Sequence, residues 1–172
     1  DAFTGEVRGN IDTAIRALTQ RPAIRAGVDR LSVDTPTALG HYTDINTSLL
    51  SAVVGLASAS TQTETAVRVV SLKAFLNAKE SAGLERAVGS GGFAQGAFDK
   101  DRALTLQSLI ARRELDLERF ADLATDEDRA LLTAIQNAPD TQTIEQLRDI
   151  ALNAAAGAGL QGRTAEEFFA AT

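Results

Sequence analysis

The sequence predicts an all-α protein, an antiparallel up-and-down bundle of long helices joined by short Gly-rich turns. Pro occurs only three times in 172 residues, and Ala and Leu are abundant throughout. No stretch of strand length alternates apolar and polar residues with a period of two. Helix-start signals recur along the chain, for example the capping-box pattern Thr164-Ala-Glu-Glu167.

The helices can be placed in order from these signals. Thr35-Pro36 starts the second helix, because the missing N–H of Pro costs nothing in a first turn. Asp126-Glu127-Asp128 starts the fifth, where acidic side chains suit the helix dipole. The Gly-rich segments 89–96 and 157–162 are predicted turns. The predicted helices span about 2–31, 36–59, 62–88, 98–123, 126–137 and 142–156, with a last one from 165.

Composition excludes several classes of function. Seventeen Lys and Arg against 23 Asp and Glu give a formal net charge of −6, so nucleic acid is not an expected partner. There is no Cys, which excludes disulfides, a thiolate nucleophile and a Cys-ligated zinc site. The single His, His41, has no second His at ligand spacing and no nucleophile partner. We therefore expect no enzyme, no cofactor and no metal.

The two ends of the sequence suggest a longer parent chain. The chain has no Met and begins at Asp1, and its first and last predicted helices start or stop abruptly. No stretch reaches the ~20 apolar residues that a membrane-spanning helix needs. We expect one helical domain over residues 1–172, with residues 1–35 forming a helix that continues from a membrane helix of the parent.

The third helix carries cations beside its apolar line. Its heptad positions turn from apolar to cationic near Lys79 and Arg86, and Gly83 leaves space one turn before Arg86. A gap beside a cation suits a small anion. The full predicted seam is Val69, Leu72, Leu76, Lys79, Gly83 and Arg86.

The fourth helix has a similar interruption. Arg113 lies in the middle of the apolar line Leu106, Ile110, Leu117, Phe120 and Ala124, where a guanidinium needs a carboxylate, carbonyls or a bound anion. Arg102 lies one turn before Leu106 and about level with Arg86 in the predicted hairpin. Arg86 with Arg102 is therefore the better-matched pair for an anion, and Arg113 also fits an internal salt bridge.

A purely structural interpretation remains open for the same cations. Arg and Lys at the edge of an apolar stripe commonly lay their stems on the core and keep their heads in water. Glu80 and Glu85 are close enough along the third helix to neutralise them. Spacing alone does not choose between structural pairing and an anion site.

The segment Lys79-Glu-Ser-Ala-Gly-Leu-Glu-Arg-Ala87 is the most specific motif of the chain. Together with 42–50, 72–76 and 165–172, it resembles the nitrate- and nitrite-sensing (NIT) domain family over residues 41–172. The resemblance implies an all-helical domain built around a four-helix bundle. It also implies anion binding through arginines, among them the Arg of the Glu-Arg signature, here Arg86. Where the family often has Gln-Arg before that signature, this chain has Gly83-Leu84.

The resemblance also implies a biological setting. Many members lie between two membrane helices of chemoreceptors, histidine kinases and cyclase-type receptors, and some occur in cytoplasmic antitermination regulators. We therefore expect the periplasmic domain of a membrane-spanning receptor, a homodimer in the parent, that binds nitrate or nitrite and signals by helix movement. The expected ligand-binding residues are Arg86, which the resemblance implies, and Lys79, Gly83, Arg102 and Arg113, which come from the helical spacing alone. The alternative is a helical dimerisation or partner-docking module that senses nothing.

Overall fold

The computed structural model describes residues 5–59 and 61–172, apart from the side chains of residues 6 and 56–59. Within these residues it contains seven α-helices and no strand, so the predicted all-α fold is confirmed. No described helix is both long and apolar enough to cross a bilayer. The helices are α1 (Gly5–Asp29), α2 (Thr35–Ala59), α3 (Thr63–Gln95), α4 (Lys100–Leu123), α5 (Asp126–Gln136), α6 (Pro139–Ala154) and α7 (Ala165–Ala171).

The chain forms two compact units, residues 1–73 and 74–172. In the first unit, α1 and α2 pack as an antiparallel pair, with Val7 near the start of α1 against Gly55 near the end of α2. A Cβ on Gly55 would lie 2.2 Å from Cγ2 of Val7, so glycine permits this close approach. The cap of α2 is Asp34, whose Oδ1 accepts from the N–H of Thr37 at 2.8 Å. The sequence predicts Thr35 as the cap and a helix from residue 36, so both the cap and the start lie one residue earlier than predicted.

In the second unit, α3 and α4 run antiparallel, and α5, α6 and α7 pack around them. The α4 helix contacts both α5 and α6, and α6 contacts α7. Contacts in register along α3 and α4 establish their direction: Phe75 with Phe120, Glu85 with Arg113, and Phe93 with Phe98. The predicted apolar line of α4 is buried or partly buried from Leu106 to Ala124.

The α3 helix continues through the segment that the sequence assigned to a turn. A Cβ on Gly89 would lie 2.1 Å from the ring of Phe168, and one on Gly92 would lie 2.3 Å from the ring of Phe98. These glycines therefore serve close packing inside a helix and do not end it. The predicted turn over 89–96 is wrong because glycine has two uses that composition does not distinguish.

The actual end of α3 is at Gln95. Gly96 has φ +71°, and its N–H and that of Ala97 donate to the carbonyls of Phe93 and Gly92 at 3.1 and 3.2 Å. This is a Schellman ending, in which glycine at the left-handed position avoids a steric cost. The predicted turn over 157–162 and the capping box of Thr164 and Glu167 are both present.

The rings of Phe93, Phe98 and Phe168 form an aromatic cluster in the core of the second unit. Phe93 lies 5.3 Å from both other rings, edge-on to Phe98 and tilted to Phe168. All three side chains are buried. Edge-on and tilted ring pairs at this distance are the geometries that aromatic quadrupoles favour. The rest of this core consists of Leu106, Ile144, Leu147, Ile150 and Ala151.

Candidate functional site

The buried face of α3 in the second unit is a stripe of small residues with one carboxylate in it. Lys79 and Gly83 of the predicted seam are exposed, so the heptad line chosen from the sequence is not the buried one. The helix packs closely through small side chains, and a line of large apolar residues is a poor guide to such a face. Its buried positions are Ala74, Ala78, Ser81, Glu85, Gly89 and Gly92, with the larger Phe93 near the end of the helix.

Glu85 is the centre of a buried ion cluster that consists of Glu85, Arg113 and Arg148. The Nε and Nη2 atoms of Arg148 donate to Oε1 and Oε2 of Glu85 at 2.5 and 3.1 Å, a bidentate contact from α6. From α4, Nη1 of Arg113 donates to Oε2 at 3.2 Å. The carboxylate is fully buried, while the side chains of Arg113 and Arg148 retain 17% and 8% exposure. One carboxylate therefore connects three helices.

The charges of the ion cluster do not balance. Two guanidinium groups against one carboxylate leave a net charge of +1 when Glu85 is ionised. Glu114 approaches Nη2 of Arg113 only to 4.0 Å and is 62% exposed, so water screens it. The Nε of Arg113 is buried with no hydrogen-bond partner among the described residues. The net positive charge and the unpartnered donor both favour a bound anion.

Burial raises the pKa of Glu85 to about 7. The cation of Arg113 opposes this rise, and the nearby carboxylate of Glu114 adds to it. The carboxyl group therefore changes its protonation in the physiological pH range.

A cleft of about 780 Å³ opens beside the ion cluster, and both arginines line it. Its apolar wall includes Phe75, Leu117 and Leu132. The volume is ample for a small anion with its waters. Its other charged lining residues are Glu114, Glu118, Arg129, Asp140 and Glu145. In the described part of the chain, no group of three or more His, Asp or Glu side chains could hold a metal ion.

Arg86, the arginine of the Glu-Arg signature, is partly buried on the neighbouring face of α3. Its guanidinium lies 5.0 Å from the ring centroid of Phe169, a cation–π contact. Its Nε is buried without a hydrogen-bond partner among the described residues. Arg86 thus offers a second unsatisfied donor, one residue from the ion cluster.

Of the other predicted site residues, only Arg113 belongs to the ion cluster. Lys79 is exposed. Gly83 is also exposed, and no atom of the described part of the chain lies within 4 Å of a Cβ built there. Arg102 donates from Nη1 to the carbonyl of Ala97 at 3.2 Å, between α3 and α4. The internal salt bridge expected for Arg113 is confirmed by its contact with Glu85.

Arg148 was missed by the sequence analysis. It occupies the apolar stripe of α6, four residues after Ile144 and three before Ala151, both buried. A guanidinium within such a stripe is the same signal that identified Arg113. The spacing rule applied to α6 would therefore have found it.

Comparison with known proteins places the chain in a family. The family model described as nitrate and nitrite sensing matches residues 1–172. The chain is 31% identical over 171 residues to a nitrate regulatory protein of Klebsiella oxytoca. The alignment covers 99% of this chain and 42% of that protein. It is also similar to the solved structure of the NasR transcription antiterminator, with a TM-score of 0.89 and 32% identity over 99% of this chain and 46% of that one. The chain thus spans less than half the length of these relatives.

These relatives overturn part of the expected setting. A periplasmic domain of a membrane-spanning receptor is wrong, because the relatives are a nitrate regulatory protein and a transcription antiterminator. The expected absence of nucleic acid from the partners is wrong for the same reason, since antitermination acts on transcription. The acidic composition of residues 1–172 does not determine what the rest of such relatives contacts. The homodimer stays a prediction.

Proposed function

The chain belongs to the nitrate- and nitrite-sensing family, and from this premise we propose that it is the anion-sensing domain of a nitrate-responsive regulator of transcription. The proposed ligand is nitrate or nitrite, bound in the cleft at Arg113 and Arg148. The observation that carries the site is the buried Nε of Arg113, which has no hydrogen-bond partner among the described residues, in a cluster with a net charge of +1. No catalytic step is part of the proposal.

The chemistry of the cluster suits a small monovalent oxyanion. Planar guanidinium groups present paired N–H donors that match two oxygens of a planar anion. Each charge-assisted hydrogen bond contributes about 1.5–3 kcal/mol, so two or three give micromolar to millimolar affinity. The four acidic side chains of the cleft lining disfavour a divalent anion, because they add repulsion for each charge that enters.

Binding signals only if it favours one arrangement of the helices over another. The ion cluster connects α3, α4 and α6, so a ligand that changes its contacts changes how firmly these helices are held together. Anion binding can therefore change the packing of the helices in the second unit.

The test is thermal unfolding of the chain with sodium nitrate, sodium nitrite, sodium chloride and sodium sulfate at equal ionic strength. Nitrate at about 100 times its Kd should add ~2.7 kcal/mol and raise Tm by roughly 5–10 °C. Chloride and sulfate should have much smaller effects. Equal responses to all four salts, or no response, would overturn the proposal.

Two variants locate the site. Arg113→Met should abolish the nitrate response while a cooperative unfolding transition remains, and Lys79→Met is the matched control because Lys79 is exposed. Arg86→Met tests the second unsatisfied donor. If Arg86→Met abolishes the response and Arg113→Met keeps it, the anion binds at Arg86 and not in the cleft.

A further inference from the structure

The position of Glu85 between two arginines is the position that a bound oxyanion would take. Its carboxylate receives a bidentate pair of N–H donors from Arg148 and a third donor from Arg113. Nitrate and nitrite are planar, carry one negative charge and present oxygens at a spacing close to that of a carboxylate. They therefore compete with Glu85 for the same donors.

The two competitors approach from different sides. Arg113 and Arg148 line the cleft, so an anion can reach their guanidinium groups from it. Glu85 has no exposed surface and belongs to the buried face of α3. The arginines are thus held from inside by the protein's own carboxylate and are accessible to an external anion from outside.

We infer, on the basis of the proposed function, that Glu85 is an internal competitor for the sensed anion. Binding of nitrate or nitrite to Arg113 and Arg148 displaces the Glu85 carboxylate, which then takes up one proton from solvent. One anion and one proton enter together, so the cluster keeps its net charge of +1. The displacement breaks the contacts by which α3 holds α4 and α6.

Burial explains why the displaced Glu85 carboxylate takes up a proton. A displaced Glu85 remains in the interior without its two cations, where an ionised carboxylate is strongly disfavoured and a neutral carboxyl group is tolerated. Its pKa, already raised to about 7, moves further in the same direction when an anion is added nearby. The charged groups around it are Arg113 and Glu114 on α4, Arg148 on α6 and Arg86 beside it on α3, with Glu118, Arg129, Asp140 and Glu145 along the cleft.

The direction in which the affinity for nitrate changes with pH follows from this coupling. Below the pKa of Glu85 the carboxyl group is neutral and competes weakly, so the anion binds most tightly at low pH. Above it, each anion that binds must bring a proton, and affinity falls with rising pH. For a single group with a pKa of about 7, Kd for nitrate should rise about tenfold from pH 6 to pH 8.

Isothermal titration with sodium nitrate tests this at pH 6, 7 and 8. At pH 8, runs in two buffers with different enthalpies of ionisation should show uptake of close to one proton per nitrate. Glu85→Gln removes the charge and keeps the shape. It should bind nitrate about tenfold more tightly than the wild type at pH 8, with no dependence on pH or buffer. Glu145→Gln, which neutralises another residue of the same cleft, should keep the wild-type pH profile.

The outcomes separate this inference from the proposed function. If the wild type does not bind nitrate, the proposed function fails. If nitrate binds but wild-type affinity is the same at pH 6 and 8 with no proton uptake, only the role of Glu85 is overturned. The same follows if Glu85→Gln binds more weakly than the wild type. Should Glu85→Gln fail to fold, the proton uptake of the wild type decides the question alone.

Discussion

The ion cluster and the aromatic cluster lie on neighbouring turns of the same face of α3 and differ in almost every physical respect. At Gly89 the helix packs closely against the fully buried ring of Phe168. One turn earlier, Glu85 draws two guanidinium groups into the interior beside an open cleft. The aromatic cluster gains stability from burial and dispersion. The ion cluster carries a desolvation cost and adds little net stability, which is consistent with the proposed anion site.

The largest expected effect is the loss of the aromatic cluster. Phe168→Ala should lower the free energy of unfolding by about 4 kcal/mol, because the side chain is fully buried and its removal leaves a cavity. Urea denaturation measures the change. Phe169→Ala is the matched control: Phe169 is 58% exposed, so about 1 kcal/mol or less is expected. Similar losses for the two variants would contradict the assignment of the core.

Breaking the ion cluster should lower the free energy of unfolding nearly as much at high pH, and less at low pH. Arg148→Met leaves Glu85 with a single cation, and the expected loss at pH 8 is about 3 kcal/mol. At pH 5 the loss should be clearly smaller, because Glu85 can take up a proton and become neutral. Urea denaturation at both pH values checks this, and an equal loss at the two would show that Glu85 does not respond to the missing cation.

The wild-type protein should itself lose stability as pH rises. The folded pKa of Glu85 is raised from 4.5 to about 7, so between these values the folded state binds more protons than the unfolded state. Stability therefore falls as pH increases through this window, by up to about 3 kcal/mol at roughly 1.4 kcal/mol per pH unit. The difference between wild type and Glu85→Gln isolates this group, and a difference that is constant from pH 5 to 8 would argue against the raised pKa.

The smallest expected effects distinguish a glycine of α3 that packs against a ring from one with free space beside it. Gly89→Ala should destabilise by about 1–2 kcal/mol, since its Cβ would meet the ring of Phe168 at 2.1 Å. Gly91→Ala should stabilise by about 0.5–1 kcal/mol through its helix propensity, because no atom of the residues that the structure describes lies within 4 Å of the added Cβ. Melting temperatures in one buffer suffice, and a gain at both positions would mean that the ring moves aside easily.

Much of the local structure was predictable because it depends on neighbours in sequence. The capping box at Thr164 and the turn over 157–162 were both identified in this way. The helix-ending role of Gly96 was hidden among glycines that pack inside α3. Arg113 was recognised because an apolar stripe with a cation in it requires a partner wherever that partner comes from.

The sequence by itself determined the all-α fold, the capping box at Thr164 and the need to satisfy a guanidinium in an apolar stripe, since propensity, capping and helical spacing act within a few residues. Only the tertiary structure decided which face of α3 is buried and which carboxylate meets the arginines. Glu85 and Arg148 are 63 residues apart, and no local rule links them. Their contact exists because small side chains let the helices approach closely enough for one carboxylate to serve two cations, leaving a surplus positive charge beside an open cleft.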